Sequence, residues 1–252
     1  MTVHFVGSGP GDPELLTLKA KRLLEGCGCL VYAGSLVSEA ILAMAPSGAE
    51  RHDSAAMDLP AIIKVMAGAH ARGLSVVRLH SGDPSIYGAI GEQMRELDKQ
   101  GIPYDVTPGV SSFQASAAAL KVELTVPEKS QTIILTRMAG RTPVPEEQDI
   151  EALARTRATL CVFLSVDQID KLAATVKKHY GPAAPMAVVF HASRPDQQII
   201  RGSVEDIAQK VKDAGVKKTA MIVAGDALAA GGAASLLYAE GFSHGYRKAE
   251  AK

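Results

Sequence analysis

The stretch Val3-His4-Phe5-Val6-Gly7-Ser8-Gly9-Pro10-Gly11-Asp12-Pro13-Glu14 decides how the rest of the chain is read. A short β-branched and aromatic run ends abruptly in three alternating glycines, which permit tight bends and close approach of a ligand to the main chain. The loop is neither of the common nucleotide-binding turns. No Gly-Lys-Ser/Thr follows, and Asp12 stands where a dinucleotide fingerprint needs its third glycine. Pro10 and Pro13 lack the N–H groups that a phosphate would use. A glycine-rich turn leading to a helix start accounts for the segment equally well.

Working outward, short apolar runs alternate with amphipathic stretches along the whole chain, the pattern of an α/β protein. Strands are expected at 3–6, 29–32, 75–79 and 104–106, with helices at 14–25, 38–44, 59–71, 86–99 and 112–120. After Pro127 and a loss of helical period the alternation resumes, with strands at 132–135, 159–163, 186–190 and 220–224 and helices at 146–154, 167–178 and 204–214. The expected division is an N-terminal α/β domain over 1–121, a linker over 122–131 and a C-terminal α/β domain over 132–252. The end of the chain, 247–252, reads as a frayed polar tail.

With 252 residues and 47% hydrophobic content, the chain is long enough for one large or two modest cores. Lys plus Arg and Asp plus Glu balance at 27 each, so no overall positive field favours nucleic acid or an anionic membrane. Neither a signal-peptide pattern nor a bilayer-length apolar run is present, which makes the cytoplasm the expected location. Cys27, Cys29 and Cys161 are too few for a disulfide framework, and Cys27-Gly28-Cys29 lacks zinc-site spacing.

The unusual residues follow expected strands, where α/β proteins bind ligands. After the third strand comes His80-Ser81-Gly82-Asp83-Pro84-Ser85-Ile86-Tyr87-Gly88, and after the fourth Thr107-Pro108-Gly109-Val110-Ser111-Ser112, whose hydroxyls suit either a helix cap or a ligand's polar edge. In the second half His191-Ala192-Ser193-Arg194-Pro195-Asp196 follows a strand. His191 there is more simply a hydrogen-bonded structural residue than a base. Arg137, Arg141 and Arg194 fall at or beyond strand ends, where they suit either solvent or carboxylates.

In this order, the glycine loop continuing to Leu15-Leu16-Thr17, the 81–84 turn, the 107–112 loop and Ala192-Ser193-Arg194-Pro195-Asp196-Gln197 resemble the tetrapyrrole methylase family, over about 2–227. The resemblance implies two α/β domains with a cofactor cleft between them, a homodimer, and S-adenosylmethionine as methyl donor with no metal required. Carried over residue by residue, the implied cofactor contacts are Pro10, Ser81, Gly82, Asp83, Pro84, Ile86, Ser111, Ser112, Leu164, Ala192, Thr219, Ala220 and Met221. Because the implied tetrapyrrole substrate is anionic, Arg137, Arg141 and Arg194 are its candidate partners. His80, Tyr87 and Glu92 are candidates near the reacting carbon.

Tyr32-Ala33-Gly34-Ser35-Leu36-Val37, the long form of the 78–89 segment and Leu124-Thr125-Val126-Pro127-Glu128 resemble members that methylate C-11 of precorrin-4 in the cobalamin pathway, with or without cobalt. Members acting on uroporphyrinogen III carry Tyr-Asp-Arg/Asn-Leu near Tyr32 and an arginine at the position of Ala89; this chain has neither. Within the family the alternative is methylation of another carbon of the tetrapyrrole, and two readings of other classes stand beside it. A nicotinamide-dependent oxidoreductase lacks its third glycine and ribose acid here, and a non-catalytic S-adenosylmethionine sensor would bind without turnover.

Overall fold

A computed structural model describes residues 1–229, 231, 235 and 239–248. Residues 249–252 of the expected tail lie outside the described residues, whereas Arg247 is held by Ala239 O and Phe242 O. The chain divides into two compact units. One comprises Met1–Ser116 with His191–Gln197, and the other Ala117–Phe190 with Gln198–Lys252.

The first unit contains β1 (Val3–Gly7), α1 (Leu18–Glu25), β2 (Cys29–Tyr32), α2 (Glu39–Leu42), β3 (Glu50–Asp53), α3 (Leu59–Ala71), β4 (Val76–His80), α4 (Ile90–Lys99) and β5 (Tyr104–Thr107). Helix α5 (Ser112–Leu120) runs across the division. The sheet order is β3-β2-β4-β1-β5, and every neighbour is parallel. Alternation sends Val3, Phe5, Cys29, Val31 and Val76 into a core with Ile62, Ile63 and Met66 of α3 and Leu97 of α4. Val6, Leu30, Val77 and Leu79 pack on the other face with Ala20 and Leu24 of α1 and Ile41 and Leu42 of α2. Both faces of the sheet are therefore covered, which leaves the strand ends and their loops as its open regions.

The second unit adds β6 (Ile133–Arg137), α6 (Ile150–Ala154), β7 (Thr159–Phe163), α7 (Ile169–Tyr180), β8 (Pro185–Phe190), β9 (Gln198–Ser203), α8 (Ile207–Asp213) and β10 (Ala220–Ala224). Its order is β6-β7-β10-β8-β9, parallel only between β6 and β7. Leu160, Val162, Met186, Val188 and Ile222 form one core with Ile150 of α6, Leu172 and Val176 of α7 and Ile207 and Val211 of α8.

Two strands depart from expectation. Glu50-Arg51-His52-Asp53 carries no apolar residue and pairs only along one side, so β3 is set by its neighbour rather than by its own pattern. β9 is likewise a largely exposed edge. Several helices start later than their periodicity suggests, α6 at Ile150 after a 3-10 turn over Glu146–Gln148 and α8 at Ile207 among them. Pro13–Leu15 forms a single 3-10 turn, after which Thr17 Oγ1 accepts from Ala20 N at 3.1 Å and starts α1 at Leu18. α4 begins at Ile90 because Tyr87 and Ala89 adopt left-handed backbone, with φ 55° and 49°. Within the expected linker, 122–131, residues 126–130 form a turn in which Val126 and Ser130 are bridged.

Candidate active site

The first unit brings three loops together at the carboxyl ends of its central strands. β1 lies between β4 and β5, so the loops beginning at Gly7, His80 and Thr107 emerge side by side. Gly9 and Gly82 exchange main-chain hydrogen bonds of 3.2 and 2.8 Å, and Ser8 N donates to His80 O at 2.7 Å. Asp83 joins the third loop: Gly109 N donates to its Oδ2 at 2.9 Å, while Ser85 N at 2.8 Å and Ser85 Oγ donate to its Oδ1. Burial alone would raise the Asp83 carboxyl, but these bonds from Ser85 and Gly109 together hold it below its ordinary value.

Small residues make this contact possible. A Cβ on Gly109 would stand 2.2 Å from Gly82 O and 2.9 Å from Gly7 Cα, and one on Gly7 would stand 2.6 Å from Gly82 O. Gly82 itself, at φ 64°, faces Ser111 Cα at 3.6 Å and Ser112 N at 3.8 Å from where its Cβ would be. Ser111 N donates to Gln114 Oε1 at 2.9 Å, the return half of a capping box at the start of α5. The start of α5 is thus held by the Gln114 side chain against the Ser111 main chain, not by a serine hydroxyl.

The segment His191–Gln197 completes the same unit. Asp12 N donates to Ser193 Oγ at 3.1 Å, and Arg194 Nη2 donates to Leu36 O at 2.6 Å. The Arg194 stem lies where a Cβ on Gly11 would be, 2.5 Å from its Cγ. This arginine thus anchors the glycine loop. His191 Nδ1 lies 2.7 Å from Asp196 Oδ2, a local pairing of the kind expected for a structural histidine. Pro10, Ser81, Gly82, Asp83, Pro84, Ile86, Ser111, Ser112, Ala192 and Arg194 all belong to this one unit.

Leu164, Thr219, Ala220, Met221, Arg137 and Arg141 belong to the second unit. Arg137 ends β6 opposite Phe163, and β10 runs antiparallel to β7 with Ile222 opposite Val162, so that β10 begins, at Ala220, toward the end where β7 leads into Leu164. Leu164 and Thr219 have φ of 52° and 55°, and Leu164 is 72% exposed. Arg137 donates to three main-chain carbonyls, Met138 O and Thr142 O at 3.2 Å and Pro143 O at 2.7 Å, which shapes the loop holding the exposed Arg141.

Among the residues proposed near the reacting carbon, Tyr87 and Glu92 are exposed, Tyr87 by 46%. His80 is only 5% exposed, and its Nε2 finds no hydrogen-bond partner among the described residues. Burial, aided by the charge of Arg78, lowers it to about 3. Arg78 escaped the sequence reading of the site. It is buried, with Nε donating to Gln93 Oε1 and Nη1 to Ser54 Oγ, both at 3.0 Å, and burial lowers it to about 10. A charge inside the apolar run Val76-Val77-Arg78-Leu79 was its visible signal.

Two parallel-sheet loops tied by a short bridge, a carboxylate gripping a third and a surround of main-chain groups define a small-molecule site, with no obvious nucleophile or triad among the described residues. The chain belongs to the tetrapyrrole methylases: the profile of the Tetrapyrrole (Corrin/Porphyrin) Methylases matches residues 2–208. Among its relatives, a cobalt-precorrin-4 C(11)-methyltransferase of Methanocaldococcus jannaschii is 50% identical over 252 residues, 99% of this chain and 97% of the relative. A precorrin-4 C(11)-methyltransferase of Pseudomonas aeruginosa is 49% identical over 99% of this chain and 100% of its own. The solved structure of a cobalt precorrin-4 methyltransferase matches with a TM-score of 0.88 at 41% identity, covering 90% of this chain and 96% of that one. A uroporphyrin-III C-methyl transferase from Thermus thermophilus complexed with S-adenyl homocysteine matches with a TM-score of 0.75 at 31% identity, covering 90% and 93%.

Proposed function

We propose that this protein transfers a methyl group from S-adenosylmethionine to C-11 of precorrin-4, giving precorrin-5 in cobalamin biosynthesis, with the cobalt-containing macrocycle as the other form of the same step. The names of the relatives support the reaction, and the observation that carries the site is the junction of the 7–13, 80–89 and 107–112 loops through Asp83 and the Gly9–Gly82 bridge. The donor fits these residues: close-packed glycines present main chain to a ligand, and the Ser81 and Ser112 hydroxyls add polar edges.

The donor's sulfonium supplies an electrophilic methyl group, so the protein's part is to orient, to exclude water and to receive a proton. On this reading Pro10, Ser81, Gly82, Asp83, Pro84, Ile86, Ser111, Ser112 and Ala192 hold the cofactor, and Asp83 keeps their loops in register. The same role for Leu164, Thr219, Ala220 and Met221 rests on the family resemblance. Arg141 is the best placed of the three arginines for an anionic substrate, since Arg137 and Arg194 already grip main-chain carbonyls. Tyr87 and Glu92, being exposed, suit contact with the macrocycle better than the sealed His80. A homodimer, on the resemblance, and a cytoplasmic location, on the sequence pattern, complete the proposal.

Incubating the purified protein with precorrin-4 and donor carrying an isotopically labelled methyl, then locating the label by NMR, tests the reaction. Label at C-11 is expected; label at another carbon, or none, overturns it. Asp83→Ala should weaken donor binding by about tenfold or more in calorimetry, because it removes the charge-assisted hydrogen bond to Gly109 N that joins two loops, together with the two from Ser85. Unchanged affinity would remove Asp83 from the site.

A further inference from the structure

Far along the strands from these loops, at the amino ends of β2 and β3, three side chains of complementary chemistry converge. Cys29 and Glu50 are register partners on adjacent parallel strands, and His52 lies two residues further along β3. Period-two alternation puts all three on one face. Cys29 Sγ, a Glu50 carboxylate oxygen and a His52 ring nitrogen lie within 4.8 Å of one another. Donors held about 2.0–2.3 Å from a tetrahedral zinc ion stand about 3.3–3.8 Å apart, so side-chain rotations that draw these atoms about 1 Å closer would close the set.

His52 Nε2 supplies an independent observation. It is sealed from solvent, has no hydrogen-bond partner among the described residues, and sits 3.7 Å from Glu50 Oε2, too far for a hydrogen bond. An unbonded buried nitrogen is costly, and a metal ion would remove that cost. Arg72 Nη2 meanwhile donates to Glu50 Oε1 and Oε2 at 2.7 and 2.6 Å, fixing the carboxylate as an outer partner fixes a metal ligand.

We propose that Cys29, Glu50 and His52 form a binding site for a divalent transition metal of the zinc type, with water from the exposed Glu50 side as the fourth ligand. Thiolate and imidazole select zinc or cobalt(II) over magnesium or calcium, and thiolate plus carboxylate neutralise a double charge. As the sulfur–metal bond forms the S–H bond breaks, one proton goes to solvent, and nothing is oxidised or reduced. Because the thiol must give up its proton to ligate, binding should release a proton and weaken as pH falls.

Cobalt(II) added to the full chain, chelator-treated and dialysed, is the probe. One equivalent should produce a thiolate-to-cobalt charge-transfer band with the intense visible bands of a four-coordinate ion, both erased by zinc. Cys27→Ser and Cys161→Ser should keep the charge-transfer band, and Cys29→Ser should lose it. His52→Gln, at the strand edge, should bind cobalt at least about tenfold more weakly while its circular dichroism stays unchanged, which keeps the test decisive if Cys29→Ser does not fold. No charge-transfer band in the wild type, its survival in Cys29→Ser, or unaltered affinity in His52→Gln would each overturn the site.

Discussion

His80 and Arg78 put a proton-linked weakness into the middle of the first sheet. Both are buried on the α3 and α4 face, and the histidine is neutral in the fold, lowered to about 3 by burial and then by Arg78. Unfolded, it takes up a proton below about 6.5. Between those values the unfolded state binds more protons, so stability drops as pH falls, by up to about 1.4 kcal/mol per unit. The depressed carboxyls of Asp83, Asp196 and Asp206 act only at lower pH, as they protonate. Urea unfolding at pH 6.5 and 5 isolates the histidine: His80→Gln should lose about 2 kcal/mol less than wild type over that interval. An equal loss in both proteins would show that His80 is not the group responsible. Sequence placed His80 at a strand end beside the site, but not its sealed environment. In a sheet covered on both faces, alternation does not reveal which polar residue is enclosed.

At the scale of elements, strands and helices with their own apolar pattern were legible, and those shaped by neighbours were not. β1, β2, β4 and β7 announce themselves in short apolar runs, whereas β3 is a polar sequence recruited by β2. The meeting of three loops was legible too, since each glycine motif follows a strand, but their contact through Asp83 and Gly109 is a matter of distance. That contact yields a sharp prediction. Gly109→Ala would drive a Cβ to within 2.2 Å of Gly82 O, backbone against backbone, with no flexible side chain to yield. The loops must separate, so the variant should be destabilised by about 1–3 kcal/mol and lose donor binding by at least about tenfold. Near-normal binding with a normal melting temperature would mean that these loops are not in contact. The same limit hid Cys29, Glu50 and His52, since they become neighbours only through the pairing of β2 with β3, and no close-spaced pair of cysteines or histidines marks them in sequence.

For the whole molecule, two runs of alternating elements separated near Pro127 suggested two bodies, and the described residues do form two compact units. The return of His191–Gln197 to the first unit was hidden, because Arg194 meets Leu36 and Ser193 meets Asp12 across more than half the chain. Each unit carries separate hydrophobic clusters: Leu172 is fully buried among β7, β8, β10 and α8, while Leu24 is fully buried among β1, β2 and α2. A cavity in one core should therefore be felt first in its own sheet. Leu172→Ala should cost about 3 kcal/mol and accelerate native-state hydrogen exchange in β7, β8 and β10 before β1, β2 and β4. Leu24→Ala should reverse that order. If either variant instead speeds exchange equally in both sheets, the two cores unfold as one cooperative body, and the second sheet's stability is not its own.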